Sequence, residues 1–491
     1  MRLSREALPD FQCKIQKPNY LPGELTPGIV HIGVGNFHRA HQAIYLDDLF
    51  LKGLDRDWAI IGAGVRPGDA RMRDILGQQD FLSTIVELDP TGPRARIVGA
   101  MTDFLAVETH NTALVDAMAR PETRIVSMTV TEGGYYIDTG TNSFDMNHKD
   151  IVADARQLSA PQTVFGAIVA ALLRRKAAGD LPFTVMSCDN IPGNGQAARQ
   201  AVTGLAAMAD RDLARWIEDN VAFPNAMVDR ITPATGAGEI ALVRDVFQYD
   251  DPVPVTCEPF RQWVLEDQFS AGRPRLEDVG VTFTANVHTY ENMKIRMLNG
   301  GHAVMAYAAA LLDIEFAHQA MADPFIHAYF LKVEKEEILP YIAPVPDMSP
   351  AAYLKLIDQR FANPMIKDTT RRLCFDGSNR QPKFILPSIV DGRQQDRSVS
   401  GLALVSALWC RYCAGTTETG LQIAPNDPEW ERRTRLANMA RSEPLIWLGQ
   451  RDVYGDLADD AEFGRPFAGW LQAIWRDGVR NTLDTYLNAA G

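Results

Sequence analysis

Hydrophobic positions in the first half of the chain fall in short, nearly continuous runs at residues 29–34, 58–63, 124–129 and 183–187. Runs of this length, rich in β-branched residues and separated by stretches with helical spacing, predict strands of a parallel sheet covered by helices. Glycine, aspartate or asparagine follows several of them closely. In open α/β sheets, such strand ends are where ligands bind. From about residue 289 the texture changes. Apolar residues recur at helical intervals over 290–313 and 324–339, strand patterns thin out, and proline-punctuated loops are expected at 340–350 and 379–387. The pattern predicts an α/β, parallel-sheet domain over residues 1–285 and a mostly α-helical domain over 286–491.

Composition narrows the function. A chain of 491 residues exceeds one compact domain, and 46% apolar with 23% charged residues is ordinary for a globular enzyme. The formal charge of −13 argues against a nucleic-acid partner, because no basic excess is present to neutralise phosphates. No run approaches the ~18–20 apolar residues of a membrane span, and residues 1–10 lack an apolar signal core, so a cytoplasmic location is expected. Six cysteines, Cys13, Cys188, Cys257, Cys374, Cys410 and Cys413, are too sparse for a disulfide framework. The Cys410–Cys413 pair lies in a helix-like apolar stretch, and no histidine follows His327. Burial is therefore expected, and no metal site. An acidic surface without an obvious exposed apolar helix permits a monomer or a small homo-oligomer.

Residues 29–41 run from a strand into a glycine turn and then a helix. Gly33 would permit the tight turn, and Gly35 would let a pyrophosphate approach the backbone at the helix start, beside Asn36 and Phe37. His38 occupies the place of the third glycine of the dinucleotide fingerprint. After the second strand comes Gly64-Val-Arg66-Pro-Gly-Asp69. An acid there can accept bonds from the adenosine ribose and repel a 2′-phosphate, which favours NAD over NADP. Asp69 lies farther along than the usual ~20 residues, and Arg66 nearby weakens the exclusion. A capping role for Asp69 at a helix starting near Ala70 is the plain alternative.

The richest constellation spans Tyr290 to His302. On a straight α-helix at ~100° per residue, Lys294, His302 and Asn299 fall at roughly 0°, 80° and 140° and could share one face. Oxidising a secondary alcohol needs a base, donors for the developing alkoxide and a hydride acceptor. Lys294 could be the base if its environment lowers its pKa. Asn299 suits the donor role, as does Asn190 at the end of the 183–187 strand. His302 could orient the substrate. The plain alternative is a surface lysine followed by a helix break at Asn299-Gly-Gly.

These segments resemble the mannitol dehydrogenase family of long-chain polyol dehydrogenases, which also contains reductases of fructuronate and tagaturonate. The resemblance rests on residues 31–41, on Val221-Ala-Phe-Pro-Asn-Ala-Met-Val-Asp229-Arg-Ile-Thr-Pro233, and on Lys294 through Asn299 to His302. It implies a Rossmann-type NAD-binding first domain, a helical substrate-binding second domain and metal-independent chemistry. Position by position, it implies Lys294 as general acid/base, Asn190 with Asn299 as the oxyanion hole, and His302 and Asp229 at the substrate. Glu291 would conduct protons between Lys294 and solvent. Arg372 is implied to reach over the substrate, with Arg380 or Lys383 less fixed in register. Gly68 stands where some relatives carry a second acid.

The reaction so implied interconverts a polyol, D-mannitol by family default, and its keto sugar. A uronate reductase is the alternative within the family. A non-catalytic NAD(H) sensor would have no use for Lys294, Asn190, Asn299 and His302 together.

Overall fold

The computed structural model describes residues 1–11, 15–138 and 143–489. The chain divides into two compact units, Met1–His288 and Thr289–Gly491.

The first unit is built on five parallel strands, β1 (Pro27–Ile32), β2 (Ala59–Ala63), β3 (Met101–Phe104), β4 (Ile125–Met128) and β5 (Thr184–Ser187), in the order β3-β2-β1-β4-β5. Residues of β2, β4 and β5 are buried on both faces, which is why these strands read as continuous apolar runs. Alternate residues supply two cores. Val30, Ile32, Val126 and Val185 pack with the helices Thr112–Ala119, Val164–Ala178 and Asn194–Ala209, while Ile29, Ile60, Ile125 and Met186 join Ile44, Leu49 and Trp263. The chain leaves β1 for β2 on one side and later returns as β4 on the other. The C-terminal end of β1 is therefore the point where strand order reverses.

β1 begins and ends two residues earlier than the apolar run suggests. Gly33 has φ of +98°, outside the β region, and so ends the strand. Trp58 lies in a 3₁₀ turn with the Arg124 guanidinium 3.5 Å from its ring centroid. Two small sheets lack a counterpart in the expected strands. Ser83–Asp89 pairs with Gly92–Val98 and Val255–Cys257, and Gln262–Leu265 pairs with Ala226–Asp229 and Thr282–Phe283.

The second unit is helical. Ser400–Cys413, buried nearly all round, packs with Gly300–Leu311 and Ala461–Asn488. Cys410 and Cys413 face this core, and burial holds both thiols protonated; Cys13 lies outside the described residues. The stretch 379–387, expected as a loop, is instead the end of helix Gly377–Phe384, with Pro382 inside it, and the start of Leu386–Gln394. Among the described residues no helix is long and apolar enough to cross a membrane.

Candidate active site

In the first unit, the glycine turn is held from both sides. The Gly33 N–H donates to Ala63 O (2.9 Å), and Thr129 Oγ1 donates to Gly33 O (2.6 Å). A Cβ on Gly33 would collide with the Thr129 carbonyl oxygen, so glycine is required by both φ and space. Gly35 N–H bonds back to Gly33 O (2.8 Å), and Gly35 precedes the helix Asn36–Ala40. A Cβ there would meet nothing nearer than 4.0 Å, leaving room for a phosphate at the backbone.

The missing third glycine has a physical explanation. His38 stacks on His31 of β1, with centroids 3.5 Å apart and planes 12° from parallel. Close strand–helix contact, which a glycine gives by lacking a side chain, is made here by two flat rings. His31 bonds Ser127 Oγ (2.8 Å) and Thr129 Oγ1 (3.1 Å). Burial pushes His31 down to about 3 and His38 well below its usual value, so both rings are neutral. The Asn36 side chain is engaged internally, donating to Thr235 Oγ1 (2.9 Å) and accepting from Arg39 (2.8 Å). Phe37 stacks on His41 at 4.8 Å. For these two residues the backbone N–H is what a cofactor could use.

The helix after β2 starts at Asp69, one residue earlier than expected. Asp69 Oδ2 accepts the Arg66 N–H (2.9 Å), and the Asp69 N–H returns a bond to Arg66 O (2.9 Å). The carboxylate thus closes its own turn with one oxygen. Gly64 lies directly beneath, where a Cβ would strike the Asp69 side chain. Arg66 is exposed, and its guanidinium points to Val130 O at 3.4 Å. It therefore crosses from the end of β2 to the end of β4, above the β1 turn.

At the end of β5, Asp189 is buried and Asn190 exposed. The Asn194 side chain donates to Asp189 O (3.0 Å) and Ala226 O (2.7 Å) and accepts from the Ala226 N–H (2.9 Å). It thereby ties the Asn190 loop to the strand that ends at buried Asp229. Arg230, next to it, clamps Ala40 O (2.8 Å), Glu258 O (3.0 Å) and Glu87 (2.6 Å).

In the second unit, the expected straight helix over 290–313 is three segments. An α-helix Val287–Met293 opens into a π-helix Lys294–Asn299 and then returns to α over Gly300–Leu311. In i→i+5 winding, positions five apart lie one turn above each other. Asn299 is thus brought over Lys294 instead of ~140° away as on an α-helix. Such π segments are frequent at functional sites. Gly300-Gly301 is not a helix break. A Cβ on Gly301 would lie 2.9 Å from the Phe330 ring and 2.9 Å from Glu334 Oε1, so the glycine permits close packing. Lys294 is buried. Glu291 is buried too.

His302 stacks on Phe361, and its pKa lies well below the usual value. Burial is the main cause, followed by the charges of Arg372, Arg360 and Arg380. The cation segment, of unfixed register in the sequence, forms the helices Thr370–Leu373 and Gly377–Phe384. Arg372 is not a free cation: it grips Asp368 with Nε (2.6 Å) and Nη2. Arg380 bonds Leu373 O (3.2 Å), and Lys383 is exposed and not among the charges acting on His302. No motif or spacing along the chain assigned a role to Arg360, Phe361, Asp189 or Glu334. Glu334 is fully buried with neither oxygen bonded among the described residues, and burial pushes its carboxyl well above the usual carboxylate range.

Comparison with known proteins covers the whole molecule. The family model described as the mannitol dehydrogenase Rossmann domain matches residues 27–278, and that of the mannitol dehydrogenase C-terminal domain matches residues 286–475. A mannitol 2-dehydrogenase of Cereibacter sphaeroides is 60% identical over 475 residues, 97% of this chain and 99% of that one. The structure of Pseudomonas fluorescens mannitol 2-dehydrogenase in ternary complex with NAD and D-mannitol superposes with a TM-score of 0.90 at 40% identity, covering 100% of both chains. A substrate-free D-sorbitol dehydrogenase gives a TM-score of 0.91 at 34% identity, covering 98% of this chain and 100% of that one.

Proposed function

Because the chain belongs to the mannitol dehydrogenase family, we propose that it oxidises D-mannitol to D-fructose with NAD, reversibly and without a metal. The observation that carries this reading is 60% identity to a mannitol 2-dehydrogenase over nearly all of both chains. The cofactor site fits: Gly35 leaves open space at the turn, and the ends of β1, β2 and β4 surround it. Gly33, Gly35 and the N–H groups of Asn36 and Phe37 would hold the pyrophosphate, with Asp69 at the adenosine ribose and Arg66 above. When bound, the nicotinamide supplies the hydride acceptor.

Lys294 takes the hydroxyl proton. It is buried, away from bulk water, as a side chain that exchanges a proton with substrate should be. Asn190 and Asn299 donate to the developing alkoxide without themselves taking charge. His302, neutral, orients the substrate by hydrogen bonding alone, and Asp229 accepts from a neighbouring hydroxyl. Glu291 passes the proton between Lys294 and solvent. Arg372 and Arg380 contact the far hydroxyls, and Lys383 stands at the edge of this group.

The test is NADH oxidation with fructose, sorbose and fructuronate side by side. Fructose is expected to give the highest kcat/KM. Fructuronate exceeding it would overturn the substrate assignment in favour of a uronate reductase, and NADH binding without any turnover would leave only a sensor.

A further inference from the structure

Thr131, just past β4, has φ of 66° and ψ of 166°. Non-glycine residues hardly ever adopt this region, and they remain there only when their surroundings enforce it. The enforcing group is Asp189. Its Oδ1 accepts the Thr131 N–H (2.8 Å), and its Oδ2 accepts the Val130 N–H (3.0 Å) and the Tyr135 hydroxyl (2.8 Å). The carboxylate is fixed in turn. Tyr135 also meets Ser187 Oγ (2.5 Å), which accepts the Asp189 N–H (3.2 Å). Thr129, two residues before the strained position, is the residue that closes on the Gly33 carbonyl. One buried carboxylate therefore joins the end of β4, with the glycine turn leaning on it, to the end of β5, which continues into Asn190.

We propose that Asp189 is a positioning residue that holds the 129–131 segment in a strained shape, and so sets both the dinucleotide turn and the start of the Asn190 loop. The inference rests on the NAD-binding and oxyanion roles proposed above. An asparagine at 189 would set an NH₂ against one of the two backbone N–H donors, leaving a buried donor unpaired. Glycine at 131, in contrast, adopts the observed φ without strain.

The experiment titrates NADH by fluorescence against Asp189→Asn, Thr131→Gly, the double variant and Asn190→Ala. Asp189→Asn is expected to weaken NADH about tenfold or more, the scale of one lost charge-assisted bond. Thr131→Gly in the same chain should recover most of that loss, a rescue that a merely structural role for Asp189 would not produce. Thr131→Gly alone should stay within about twofold of the parent. Unchanged affinity in Asp189→Asn, no recovery in the double variant, or a larger loss in Thr131→Gly alone overturns the proposal. Should Asp189→Asn not fold, recovery of folded, NADH-binding double variant supports it and failure of the double variant overturns it. Asn190→Ala separates the two readings. It should keep NADH affinity while losing kcat; if kcat is kept, the oxyanion assignment fails and the NADH measurements still judge Asp189.

Discussion

The imidazole of His302 lies flat on the ring of Phe361, with centroids 4.1 Å apart and planes 18° from parallel. The two residues sit on different helices, Gly300–Leu311 and Pro350–Phe361. Their contact fixes the plane in which His302 can offer its nitrogens. Phe361→Leu keeps apolar volume and removes the flat face. It should raise KM for the polyol several-fold with little change in the NADH dissociation constant, as read by steady-state kinetics beside a cofactor titration. A fall in kcat with KM unchanged would mean that the ring acts on the transition state alone.

Lys294→Ala should lower kcat by ~10²-fold or more, the scale of general acid–base catalysis. NADH binding should be retained, since the proposed contact of the lysine is with substrate. Asn190→Ala and Asn299→Ala should each cost on the order of 10²–10³ in kcat. Rapid-mixing measurement of the first turnover checks all three. Retention of more than about a tenth of kcat in Lys294→Ala would remove it as the base.

Asp69 accepts the Arg66 N–H through Oδ2, so Asp69→Asn should preserve the turn, with the amide oxygen in that place, while removing the charge that repels a 2′-phosphate. NAD should be preferred by the parent protein. In the variant the NAD/NADP ratio of kcat/KM should fall by about tenfold, the scale of a charge-assisted contact. A parent enzyme at least as efficient with NADP would sink this assignment.

Buried histidines of the first unit and Glu337 of the second contribute to stability with opposite pH dependence. Burial pushes His31 and His41 down to about 3, below the ~6.5 of an unfolded histidine. Their contribution is fully present above ~6.5 and is lost as pH falls from there toward 3, by ~1.4 kcal/mol per unit for each ring. Glu337 accepts the Gly401 (2.7 Å) and Leu402 (2.9 Å) N–H groups, yet burial pushes it up to about 7. Its contribution is fully present below the ~4.3 of an unfolded glutamate and is lost as pH rises through 7. Denaturant unfolding monitored separately in the two units from pH 5 to 8 checks this. Glu337→Gln should reduce the loss of stability of the helical unit as pH rises through 7 and leave the dependence of the other unit unaltered.

Features that depend on local chemistry were legible along the chain. Four strands of the parallel sheet were legible because burial on both faces demands unbroken apolar runs. The glycine turn was legible because only glycine tolerates the φ of Gly33 beside Thr129. The family was legible because its motifs are contiguous. β3, an edge strand with Thr102 half-buried and Asp103 exposed, carries no unbroken apolar run.

The remaining features arise from contacts between distant parts of the folded chain. The π winding of Lys294–Asn299 reaches only one residue further per hydrogen bond than an α-helix, too little for six residues of apolar pattern to reveal. His38 could replace a glycine only because His31, seven positions earlier on a strand, presents a flat face to it. Asp189 meets Val130 across 59 positions of chain, and His302 meets Phe361 across a similar span. Such partners are chosen by close packing of the folded chain, and side-chain identity along the sequence carries no record of which distant group will arrive.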